Sequence, residues 1–229
     1  MIHDKKEFGL GLILLTGFFL VLAVLFMPLW PDGKNTISYL DNVFNSISKN
    51  SAYYIPDLNE KAEKHAGSAV SLTLQAASAP QAERMEKLLG QGGAGVTRQE
   101  MQLAVDADLG KLLGQALTDA DLMFANDGAA VTAKYGLEAR QALFDWHKIL
   151  SAAAKDLDRQ GRFAESKILH DVVTKGVEPA YNYYGIEAIP IMDLFWIVLA
   201  ALVGYVIYTV WYGYAILFLF EGIGLRLEH

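Results

Sequence analysis

The chain has 229 residues, of which 53% are hydrophobic and none is cysteine, and its formal net charge is −7. The missing cysteine excludes disulfides, thiolate metal sites, thiol nucleophiles, covalent haem attachment and cysteine-ligated iron–sulfur clusters. An acidic balance with no basic stripe argues against a nucleic-acid surface.

The chain opens with a short polar tail, residues 1–8, in which Lys5 and Lys6 precede an apolar run from Phe8 to Trp30. A spanning helix needs about 20 apolar residues, so residues 9–30 are expected to form a first transmembrane helix. The run ends in Met27-Pro28-Leu29-Trp30-Pro31 without a small-residue cleavage pattern, which marks an uncleaved anchor rather than a signal peptide.

Residues 31–187 have ordinary soluble composition, and the spacing predicts helices throughout with no alternating strand. Ile37, Leu40, Phe44 and Ile47 recur at helical spacing. Past Ile55-Pro56, Asp57 is a candidate cap for a helix whose seam runs Leu58, Ala62, His65, Ala69, Leu72 and Ala76. Ala79-Pro80 breaks it, and a short helix reaches Leu89. Gly90 to Gly95 is a glycine-rich loop. Thr97 with Glu100 has the spacing of a capping box for a helix bearing Met101, Val105, Leu109, Leu112 and Ala116. Asn126-Asp127-Gly128 marks a turn. A long helix carries Leu143, Trp146, Leu150, Ala153 and Leu157 up to Gly161, and a last one spans Arg162 to Tyr184, where Pro179 is positioned to kink it. The expected fold is therefore all-α, a compact alanine-rich bundle between two transmembrane helices.

The second apolar run, Ile189 to Phe220, has 32 residues. At ~1.5 Å per residue it exceeds a hydrocarbon core of about 30 Å. Asp193 and Trp196 set the outer limit and Trp211, Tyr212 and Tyr214 the inner belt, so the span is placed near 194–214. Residues 188–220 thus form the second transmembrane helix with a cytoplasmic extension. Residues 221–229 form a tail whose Leu227-Glu228-His229 resembles an affinity-tag remnant. Lys5, Lys6 and Arg226 crowd the terminal flanks, and the opposite flanks are sparser in positive charge. Both termini are accordingly expected in the cytoplasm and residues 31–187 outside it, in an inner membrane.

The motifs carry little chemistry. Gly90-Gln91-Gly92-Gly93-Ala94-Gly95 matches the dinucleotide pattern in letters, but no predicted strand precedes it. Asp106-x-Asp108 and Asp119-x-Asp121 lack the rest of a calcium loop. The Glu-x-x-His signature of di-iron bundles and His-Glu-x-x-His are both missing. Neither a metal nor a cofactor is expected, and no enzymatic activity. His65, on an otherwise small apolar seam, is the most notable polar residue. His147 and His170 stand beside Asp145 and Asp171, but sequence neighbours diverge on a helix.

In the second span Tyr205, Tyr208 and Tyr212 form one stripe, and Ala200-x-x-x-Gly204 is a small-xxx-small pair that permits close helix approach. Hydroxyls facing lipid are unfavourable, so this side is expected to meet protein. No charged residue lies between Glu7 and Asp32 or between Asp193 and Glu221, which leaves no intramembrane proton relay. The reading is a non-catalytic membrane protein whose external bundle mediates homo-oligomerisation or serves as an accessory subunit of a membrane complex, with the lipid bilayer and other subunits as partners. Two alternatives remain. One is a homo-oligomeric channel lined by the second span. The other is a sensor input module without its output domain, which resembles the layout of bacterial chemoreceptor and histidine-kinase input regions.

Overall fold

A computed structural model describes residues 2–225; the tag-like Leu227-Glu228-His229 and the orienting Arg226 lie outside the described residues. The chain is mostly helical and divides into two compact units, one made of the residues up to 47 with those from 189 onward, the other of residues 48–188.

In the first unit, Asp4 caps α1 (Lys5–Leu25), its carboxylate accepting from the Lys6 and Glu7 amides. The helix ends before Pro28, short of the expected Trp30. Trp30 instead stacks flat on Tyr39, with ring centroids 4.1 Å apart, and donates from Nε1 to Thr36 Oγ1 at 3.0 Å. This ties the turn at Pro31–Gly33 to the start of α2 (Thr36–Ser51). Past a short 3-10 turn, the second apolar run forms one unbroken helix, α10 (Phe195–Gly222), so the segment after residue 214 continues helical. Helices α1 and α10 are both long and apolar enough to cross a membrane. They pair antiparallel, with Phe8 against Gly222, Gly11 against Leu219 and Phe18 against Tyr208.

The second unit is mostly helical, as expected, but carries a three-stranded sheet where the sequence pattern predicts no strand. After α3 (Ile55–Glu63) the chain forms β1 (Ala69–Gln75), α4 (Ala79–Gln91), β2 (Gly95–Gln99) and β3 (Gln102–Asp108). The sheet order is β1-β3-β2, with β3 antiparallel to both neighbours. Helices α5 (Leu109–Phe124), α6 (Gly128–Tyr135), α7 (Ala139–Arg159) and α8 (Phe163–Val172) follow. A single π turn, Val173–Val177, leads into α9 (Glu178–Asn182).

The seam assigned to residues 58–76 fails because alanine fits either period. The helix stops at Glu63, and beyond it Val70, Leu72 and Leu74 are buried while Ala69, Ser71, Thr73 and Gln75 face out, the two-residue period of a half-buried strand. The proposed capping box is also overturned: Thr97 lies in β2, and Glu100 and Met101 are the two central residues of a tight hairpin closed by Gln99 and Gln102. Glu100 has φ +54°, a place where such turns favour glycine.

The sheet buries one face against the helices, and α7 also guards its open edge. Asp156 Oδ2 accepts from the Thr73 amide at 2.9 Å, Gln160 Nε2 donates to Ser71 O at 3.0 Å, and Arg162 Nη1, just past the helix, donates to Ala69 O at 3.0 Å. Two buried carboxylates fix α7 in turn. Asp145 accepts from Arg84 and Gln81 of α4 and from Gln141. Asp119 of α5, fully buried, accepts from Lys134 Nζ at 2.7 Å, the Tyr135 hydroxyl at 2.5 Å and Trp146 Nε1 at 2.8 Å. At the other end, Asn126 (φ +64°) takes the Lys49 ammonium at 3.0 Å and the Gly185 amide at 2.8 Å on Oδ1, and donates to Ile186 O at 2.9 Å.

Removing Asp119 leaves three donors without an acceptor. Asp119→Ala is therefore expected to cost about 3 kcal/mol of unfolding free energy, read by denaturant titration with amide exchange in α5–α7. Burial, and then the Asp119 carboxylate, push the Tyr135 phenol well above its usual value. The folded form thus keeps a proton that the unfolded chain releases near pH 10, so stability present below that pH is lost as pH rises above it. Tyr135→Phe is expected to flatten this alkaline decline, and an unchanged alkaline slope in that variant would contradict the assignment.

Candidate functional site

The predicted tyrosine stripe is divided by the structure. Tyr208 faces α1: its ring stacks on Phe18 with centroids 4.1 Å apart, and its hydroxyl donates to Phe18 O at 3.0 Å. One turn further on, Trp211 Nε1 donates to Leu14 O at 3.0 Å. Both are polar groups in an apolar helix pair, and each takes the second lone pair of a carbonyl in the neighbouring helix. Tyr212 touches Phe18 at 5.0 Å with its ring tilted and stays partly uncovered. Tyr205 is 69% exposed, and among the described residues no hydrogen bond reaches its hydroxyl. Ala200 and Gly204 are exposed as well, and a Cβ added at Gly204 would meet nothing within 4 Å.

The close approach between the two helices comes from other glycines. A Cβ at Gly11 would lie 2.7 Å from the Leu219 amide nitrogen, and one at Gly222 would lie 2.6 Å from Phe8 Cα. These are backbone contacts that no rotamer change relieves.

His65 does not lie on a helical seam. It sits half-buried in the turn after α3, where its carbonyl accepts from the Ser68 and Gly110 amides at 3.1 and 3.2 Å. The backbone at this position, rather than the imidazole, joins the start of β1 to the start of α5. The nearby Glu165 carboxyl is held low mainly by the Arg162 guanidinium.

A second constellation has no sequence-local signature. His147, on α7, and Glu178, the first residue of α9, meet with Nε2 3.0 Å from Oε1. An ionised carboxylate can only accept, so Nε2 carries the hydrogen, and Nδ1 is left buried without a partner among the described residues. The pair stands between two cavities of the same unit. One, of about 1030 Å³, runs along α7 beside α8 and the end of β1. The other, of about 280 Å³, is walled by Leu143, Phe144, Val177 and Tyr181. The π turn contributes to both, through Val173 and Thr174 on one side and Val177 on the other. Such turns recur at functional sites. Among the described residues no group of three His, Asp or Glu side chains is arranged to hold a metal ion.

Comparison with known proteins adds no constraint: no family model, curated relative or solved structure matches this chain.

The helix pair generates a direct test. Gly11→Leu is expected to widen the α1–α10 separation by on the order of 2 Å, since interaxial distance follows the side chains at the contact, whereas Gly204→Leu leaves it unchanged. The cysteine-free chain allows clean spin labelling after Ile13→Cys and Phe220→Cys, and the inter-label distance measures the effect.

Proposed function

We propose that this protein is a non-catalytic membrane subunit that works by assembly, with α1 and α10 inserted as a hairpin and α10 offering its uncovered side to another transmembrane helix. One observation carries the reading. Tyr208 and Trp211 satisfy their polar groups on α1, while Tyr205, on the same apolar helix, has no hydroxyl partner among the described residues and lies on an uncovered surface. In hydrocarbon such a group costs a few kcal/mol unless it finds an acceptor, and a neighbouring helix supplies carbonyls as α1 does for Tyr208. Ala200 and Gly204 on the same helix let that neighbour approach closely.

In this reading residues 31–187 lie outside the cytoplasm. Lys5 and Lys6 in the short N-terminal tail support the orientation under the positive-inside rule. The partner is a second copy or a companion subunit. The unit formed by residues 48–188 then serves as the external body of the complex.

The mass of the protein in lipid nanodiscs tests this. The native chain is expected as a defined oligomer or with a companion subunit. Gly204→Leu combined with Tyr205→Phe is expected to weaken the assembly by about tenfold, matching the loss of about 1.4 kcal/mol of interhelical packing and hydrogen bonding. A strictly monomeric species from native membranes, with no companion recovered, would overturn the proposal.

A further inference from the structure

We propose that the paired cavities beside α7 form a binding site for a small carboxylate with an apolar tail, a ring or a short acyl chain. The inference is independent of how the membrane helices assemble, since all of its residues belong to the unit formed by residues 48–188.

The two cavities differ in chemistry and adjoin at Phe144, His147 and Glu178, which line both. The smaller is mostly apolar. Its 280 Å³ exceeds the roughly 150 Å³ that admits benzene in an engineered core, so one ring or a short chain fits. The larger is mixed, with a greater polar share than the smaller, and carries cations. Lys148, Ser151 and Lys155 follow at three- and four-residue spacing along α7 and line the same groove, as helical periodicity requires of one face. Among the described residues neither Lys148 nor Lys155 forms an ion pair. The third cation, Arg159, is already engaged by Asp156 at 3.4 Å. Two ammonium groups without a carboxylate partner among the described residues, in one groove of a protein with net charge −7, are the local exception to its acidic surface, and they attract an anion.

Position chooses between the two lysines. Seven residues on a helix separate them by about 10 Å, too far to grip one carboxylate together. Lys148 lies against the Phe144 ring, with Nζ 5.0 Å from its centroid, and Phe144 is shared by the apolar chamber. A tail in that chamber therefore brings its carboxylate to Lys148, while Lys155 adds longer-range attraction. Of the two acidic residues lining the groove, Asp158 stands toward the far end of α7. Glu178 stands at the mouth of the chamber and is held there by His147. Its charge repels a second carboxylate, which turns the ligand head toward Lys148 and favours a monoanion.

The test is calorimetric titration of the whole protein in nanodiscs with octanoate, benzoate, octanol and inorganic phosphate. Saturable binding of octanoate or benzoate is expected, and whichever binds more tightly identifies the tail as acyl or aromatic. Lys148→Gln is expected to weaken that binding about tenfold, the scale of one hydrogen bond to a charged group. Lys167→Gln, at an exposed lysine outside the groove, is expected to leave it unchanged. Octanol is expected to bind weakly and to ignore both substitutions. Equal effects of the two lysine variants would mean simple partitioning into lipid and would overturn the site. Phosphate binding as tightly as the carboxylates with the same Lys148 dependence would overturn the tail. No saturable carboxylate binding would overturn the proposal as a whole.

Discussion

A fully buried carboxylate organises the unit formed by residues 48–188. Asp119 holds its charge away from water, and an uncompensated charge there costs several kcal/mol. Three donors offset that cost, two from the end of α6 and one from the middle of α7. Each donor reaches the oxygens only if its helix is correctly placed and rotated about its axis. The carboxylate thus specifies a geometry for α5, α6 and α7 that hydrophobic burial alone, being non-directional, leaves loose. Tyr135 is doubly fixed, since its hydroxyl also accepts from Gln115 at 2.7 Å. Asp145 repeats the arrangement toward α4 with Arg84 and Gln81. Helix α7 is pinned at Asp145 and Trp146, on adjacent positions that face different neighbours. From that anchored length it extends Asp156 and Gln160 to the edge of β1 and presents Lys148 and Ser151 to the groove.

The helix pair α1–α10 solves the same problem with other means. It contains no ion pair among the described residues, and Tyr208 and Trp211 satisfy their polar groups on the backbone of the opposite helix. This requires the backbones to lie close, and Gly11 and Gly222 provide that closeness by leaving no Cβ to intervene. Close backbones and carbonyl-seeking hydroxyls belong together, which is why an uncovered Tyr205 beside uncovered Ala200 and Gly204 carries weight when none of them does alone.

Much of the outline was legible in the sequence. The two apolar runs, α2, the long α7 and the turn at Asn126-Asp127-Gly128 follow from length, helical period and turn chemistry. The sheet was not. In β1 the buried positions 70, 72 and 74 alternate with Ser, Thr and Gln, but flanking alanines at 62, 66, 69 and 76 supply matches to a helical period as well, and a seven-residue strand is too short to outvote them. The β2–β3 hairpin lacks the Gly or Asn that usually announces a two-residue turn, because Glu100 occupies the positive-φ position itself. The spacing of Tyr205, Tyr208 and Tyr212 places them on one stripe of the second span, and the structure divides that stripe. Which of its members would find α1 depended on where the partner helix lies, and that is tertiary information. His147 offers no local pair, because its sequence neighbour Asp145 points elsewhere. Its actual partner, Glu178, is 31 residues away, a separation at which local spacing rules say nothing.

The π turn explains how that distant partner is aligned. His170, Thr174 and Glu178 all line the groove beside α7, and they are spaced four and four. On an unbroken α-helix each such step overshoots a full turn, so three positions drift steadily around the axis and the third leaves the face of the first. Between Val173 and Val177 the chain takes a wider turn with more residues per rotation. There the step from Thr174 to Glu178 falls short of a full turn instead of exceeding it. The two errors oppose one another, and the carboxylate returns to the side on which His147 waits. Pro179 follows at once, where its missing amide falls among the first positions of the resumed helix. The irregular turn thus turns the start of α9 so that its one acidic side chain lies between a lysine-bearing groove and an apolar chamber.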